Sequence, residues 1–134
     1  MALSIAALLC GCNIDSGWSC RPVSGDYCLE RWEDGKTYYL RDKRHPDLSG
    51  GGVIDGVVQR IGWTDSTIIA WRKPLFGGDP WGWMVIDVRR RSVEGPISDA
   101  ERVRRPDLRS IAVTSPEIAW PHLRWFRTVQ VPAR

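Results

Sequence analysis

Between Val57 and Pro96 the chain reads VVQRIGWTDSTIIAWRKPLFGGDPWGWMVIDVRRRSVEGP. Three runs rich in β-branched and aromatic residues (Val57 to Trp63, Thr67 to Arg72 and Trp83 to Arg89) are separated there by turn residues. Runs of that length, so punctuated, predict consecutive antiparallel strands. Along the middle run Ile69 and Trp71 alternate with Ile68 and Ala70. Both faces are therefore partly apolar, the pattern of a central strand covered on both sides. In the third run Met84, Ile86 and Val88 share one face and Asp87 points away.

Two more strands are predicted upstream, over Asp26 to Glu33 and Lys36 to Lys43. Asp34-Gly35 between them predicts a type I′ hairpin, whose two central residues both need positive φ. Asp42 to Gly52 (DKRHPDLSGGG) is a charged loop with three successive glycines. No Gly-Lys-Ser/Thr follows them, so they are not a phosphate loop. Lys73 to Gly82 reads as a long hairpin loop, and Val93 to Pro96 as the exit from the sheet. Ser98 and Glu101 form a capping box that starts a helix. Pro106 limits that helix to about two turns, because the residue before proline is pushed out of the α region. Ser115-Pro116-Glu117 is a second N-cap with proline at the first helical position. A chain of 134 residues makes one domain, placed at 26–134. The expected fold is α+β: a small antiparallel meander of about five strands with a short capping helix and an irregular C-terminal segment.

The chain begins MALSIAALLCGC, an apolar run of signal-peptide length that is far too short to span a bilayer. Leu9-Cys10-Gly11-Cys12 resembles the bacterial lipobox, although no Lys or Arg precedes the run and Cys10 stands where Ala, Ser or Thr is commoner. The resemblance implies a signal peptide over 1–11, cleavage before Cys12, a diacylglycerol on the Cys12 thiol, and a lipidated tether over 12–25. It also implies a bacterial cell-envelope protein that faces the periplasm and contacts the membrane through its lipid. Asn13 rather than Asp after the lipidated cysteine mildly favours the outer membrane under the enterobacterial sorting rule. With Cys10 removed and Cys12 lipidated, Cys20 and Cys28 remain as a disulfide pair in an oxidising compartment. The alternatives are a metal pair, for which Cys-x7-Cys is not zinc spacing, and a secreted form in which all four cysteines pair.

Gly62-Trp63, Ile68-Ile69-Ala70, Trp83 to Val88 and Val93 to Glu101 together resemble a group of small bacterial envelope proteins, many of them predicted lipoproteins. The likeness spans roughly Asp26 to Arg109. It implies a small meandering sheet with a capping helix, and it brings no known activity.

The net charge of +3 is too small to point to nucleic acid. Its distribution is uneven: residues 1–67 carry seven basic and nine acidic side chains, and residues 68–134 carry twelve and seven. The excess is almost all arginine, which suits carboxylates or phosphates. His45 lies in a loop with Asp42 and Asp47, and His122 stands far away, so no ligand spacing for a metal emerges. Glu30, Glu33 and Asp34 sit by a turn with basic neighbours and read as surface. No cofactor or enzyme signature is present in the sequence. The eight tryptophans are the unusual feature. Trp63 and Trp71 are expected in the core. Phe76, Trp81 and Trp83 in the long loop either fold back to cap the sheet or, with Arg102 and Arg105, form the candidate binding surface, since exposed aromatics on loops favour recognition. The sequence thus points to a non-catalytic envelope lipoprotein that binds a protein partner, for example an immunity or inhibitor protein. An accessory subunit of an envelope assembly is the alternative, with a small cell-wall-active hydrolase behind it.

Overall fold

A computed structural model describes residues 20–46 and 50–123. Within them the chain forms two antiparallel sheets and a few short helices, rather than one five-stranded meander. The first sheet is β1 (Cys20–Ser24), β2 (Tyr27–Arg31) and β3 (Tyr38–Asp42), in that order. The second is β4 (Gly56–Trp63), β5 (Thr67–Pro74), β6 (Gly82–Asp87) and β7 (Ser92–Ile97), again in chain order. Residues 20–24, assigned from the sequence to the tether, are an edge strand, where Pro22 costs no ladder donor that another strand needs. Ser92–Ile97, read as leaving the sheet, is the opposite edge and contains a cis Gly95–Pro96 bond.

The four-stranded sheet is covered on both faces. On one side Val58, Ile61, Ile68, Ala70, Met84 and Ile86 meet Tyr27, Leu29, Tyr38 and Leu40 of the smaller sheet, with Ala119, Trp120 and Leu123. On the other, Ile69, Trp83 and Val85 pack with Ile97, Leu108 and Ile111. The double burial explains the unbroken apolar run of β5, whose Ile68, Ile69 and Ala70 are all fully enclosed.

Close backbone contacts join these layers. The loop after β3 returns so that Gly52 bridges Leu40, with Val53 N donating to Leu40 O at 2.8 Å. Gly52 has φ +69°, and a Cβ there would lie 2.3 Å from Leu40 O, so only glycine fits. Ile54 is thereby driven into the core. On β4, Gly62 lets Ala112 approach, since a Cβ would lie 2.3 Å from Ala112 O. Next to it Ile61 exchanges both backbone hydrogen bonds with Thr114. Arg91, in the turn between β6 and β7, ion-pairs with Asp42 and reaches Asp26 at 3.3 Å, tying the second sheet to the first. Asp42 is nearly buried, so it needs that cation.

The hairpin between β2 and β3 is longer than a two-residue type I′ turn. Trp32 O accepts from Gly35 N, and Trp32 N donates to Thr37 O. Of Asp34 and Gly35 only Gly35 takes positive φ. Asp34 instead acts through its carboxylate, accepting from Lys36 N, Thr37 N and the Thr37 hydroxyl. Helix α1 (Asp99–Arg104) starts at Ser98, whose hydroxyl accepts from Glu101 N, and it stops before Pro106. Helix α2 (Pro106–Arg109) supplies buried Leu108. Helix α3 (Pro116–Ala119) begins at Ser115 and runs into a 3-10 turn over Trp120–His122. Among the described residues no helix is long and apolar enough to cross a membrane.

Candidate binding surface

Cys20 and Cys28 form a disulfide across β1 and β2, with Cα atoms 5.5 Å apart. Cys12, by contrast, lies outside the described residues, as does Asp47.

The five residues expected to make a binding surface separate into three settings. Phe76 and Trp81 lie on the loop between β5 and β6 and are 67% and 52% exposed, with Leu75 beside them at 38%. The loop is fixed from beneath by Arg72, a nearly buried residue at the end of β5. Its Nη1 donates to Ile54 O at 3.1 Å and its Nη2 to Pro80 O at 2.8 Å. A buried guanidinium whose two Nη atoms meet carbonyls while its Nε has no partner among the described residues is an expensive way to hold a loop, and it presents the aromatic residues on a defined base.

Trp83 is not part of that surface. Gly82 opens β6 rather than sitting in the loop, and Trp83 pairs with Trp71 and is fully buried. Its Nε1 donates to Asp99 Oδ1 at 2.7 Å. Trp71 meets it edge-on, with ring centroids 5.5 Å apart. The guanidiniums of Arg60 and Arg102 lie over its ring at 5.0 and 4.8 Å. Arg102 thus serves partly as a lid on the indole. Arg105 is committed elsewhere: it donates to Glu94 at 2.8 Å and stands 3.6 Å from Asp107. The hydrogen bond to Glu94 raises its affinity for its proton.

Two contributors are not apparent from the sequence alone, Arg60 and Asp99. A bulge between Val58 and Arg60 shifts the register, so that Val58 and Ile61 both face the inter-sheet core while Arg60 turns onto the Trp83 side. The sequence signal is the pair Gln59-Arg60, which breaks strict alternation. Around this spot Arg60, Asp99, Ala100, Arg102, Val103 and Arg104 line an open groove of about 610 Å³.

Of the other groups considered for chemistry, Glu30 and Asp34 are engaged in structure. Glu30 holds Arg41 at 2.6 Å, and Asp34 organises its turn. His45 and His122 are exposed at separate points of the chain. Among the described residues no three His, Cys, Asp or Glu side chains gather in a cluster able to hold a metal ion. Comparisons with protein-family models, with curated proteins and with solved structures found no match.

Proposed function

We propose that this chain is a non-catalytic binding protein of the bacterial cell envelope, anchored through a lipid on Cys12 and docking a protein partner with the loop between β5 and β6. The observation that carries the reading is the exposure of Leu75, Phe76 and Trp81 on a loop clamped by buried Arg72. Large aromatic side chains displayed on a fixed base bind with little ordering cost, which is how recognition hot spots work. The Cys20–Cys28 bridge supports export, because such bonds persist in oxidising compartments. An immunity or inhibitor protein is the specific form that suits a small tethered domain presenting one apolar loop.

Affinity capture from detergent-solubilised envelopes, with identification by mass spectrometry, tests this reading. One partner in stoichiometric amount is the expected result. Recovery of lipids and abundant porins alone would contradict it. A Cys12→Ser variant should leave the membrane fraction, and unchanged fractionation would refute the anchor.

A further inference from the structure

We infer that the groove beside Trp83 grips an acidic segment of the protein partner, with Arg60, Arg102 and Arg104 taking its carboxylates. This names the chemistry of a partner and so rests on the reading of the domain as a protein-binding module. The groove is a second contact, distinct from the aromatic loop.

The inference comes from which arginines are already satisfied and which are not. Arg91 is paired with Asp42 and Asp26, Arg105 with Glu94 and Asp107, and Arg72 with two carbonyls. In the groove two of the three arginines are without such a partner: among the described residues Arg60 and Arg104 have no ion pair, and no hydrogen bond takes the Nη atoms of Arg102. Arg102 is ion-paired with Asp99 through its buried Nε, 3.7 Å from Oδ1, which leaves only its Nη atoms to a ligand. Three guanidiniums thus face one lining carboxylate, and that carboxylate already accepts from the Trp83 indole.

Stacking on Trp83 matters for binding because it fixes two of the guanidiniums before any ligand arrives. A planar fork held in place loses little freedom when it closes on a carboxylate. The lining also discriminates between anions. Asp99 would repel a doubly charged phosphate more than a single carboxylate, while Ala100 and half-exposed Val103 offer an apolar floor. That mixture suits a peptide whose acidic residues alternate with apolar ones. The site is open rather than enclosed, so an extended chain can pass across it.

The test uses the full chain in non-ionic detergent, titrated at low salt with a capped, fluorescein-labelled peptide of alternating Glu and Leu and read by fluorescence anisotropy. Saturable binding is expected, weakened at least about tenfold when Gln replaces Glu in the peptide. The double variant Arg60→Gln/Arg104→Gln should weaken binding by a similar factor while its melting temperature holds. Removing the same charge elsewhere, with Lys36→Gln/Arg89→Gln, should change binding by no more than about twofold, since distant exposed charges are screened. Equal binding of the Gln peptide, or indifference to the groove variant, would overturn the inference. Displacement of the peptide by inorganic phosphate or by phosphatidylglycerol in mixed micelles at lower concentration than by unlabelled peptide would also overturn it, in favour of a phosphate site. A partner captured through Phe76 and Trp81 whose binding ignores Arg60 and Arg104 would remove this groove and leave the loop reading standing.

Discussion

The indole nitrogen of Trp83 donates to Asp99 Oδ1 at 2.7 Å, joining a fully buried ring of the central sheet to a helix that buries none of its own side chains. Helix α1 is therefore held by a polar bond and by Arg102 stacked on the ring, not by an apolar stripe. The same two contacts shape the arginine-lined groove.

Replacing Asp99 with Ala leaves a buried indole donor without an acceptor. The expected loss is about 1–3 kcal/mol, the cost of an unsatisfied buried polar group. Asp99→Asn keeps an acceptor oxygen and should cost less than about 1 kcal/mol. Urea unfolding of the two variants checks this, and equal losses would show that the hydrogen bond contributes little.

Arg72→Ala removes the cation that holds Ile54 O and Pro80 O. Two carbonyls lose their partner and a cavity opens, so a destabilisation of about 2–4 kcal/mol is expected. The loop between β5 and β6 should also become the first site of proteolytic cutting under native conditions. Limited proteolysis with peptide mapping reads that directly.

Cys20 and Cys28 are eight positions apart and bonded. Closing so short a loop in the unfolded chain is worth about 2–3 kcal/mol by the chain-entropy model. Reduction with dithiothreitol, or a Cys20→Ser/Cys28→Ser double variant, should lower stability by that amount and leave the fold of the second sheet intact. A loss near zero would mean that the reduced chain keeps the β1–β2 hairpin when unfolded.

Asp34 gives a pH signature. Its hydrogen bond from the Thr37 hydroxyl, helped by the Lys36 and Thr37 amides, holds its carboxyl below the usual value of 3.8. A carboxyl lowered on folding contributes stability that is complete above its unfolded value. That contribution is lost as pH falls through the lower folded value. Asp34→Asn should flatten this part of the stability profile below about pH 4, as followed by thermal unfolding at stepped pH. An unchanged acid limb would refute the assignment.

What the sequence revealed, and what it hid, follows from how local each signal is. The runs of β4, β5 and β6, the Ser98 and Ser115 caps and the cysteine pair are encoded within a few residues, and the structure has them. The split into two sheets is not local. It depends on Gly52 meeting Leu40 and on Arg91 reaching Asp42 across long separations. Edge strands β1 and β7 were obscured by Pro22 and by Gly95-Pro96, residues that edges tolerate and central strands do not. At the candidate surface, Phe76 and Trp81 were legible as loop aromatics. Trp83 was not, because Gly82 looks like a loop residue although it begins β6. A Cβ on Gly82 would lie 2.7 Å from Pro96, so the glycine serves the packing of β7.

The most direct measurement is the affinity of the captured partner for the wild-type chain and for a Phe76→Ala/Trp81→Ala variant, by isothermal titration in detergent. Both side chains are exposed, so the variant should keep its melting temperature. The account predicts at least about a hundredfold loss of affinity, the scale expected when two aromatic hot spots are truncated. An affinity within about twofold of wild type would fall well short of a hot-spot loss and would contradict the loop as the docking site.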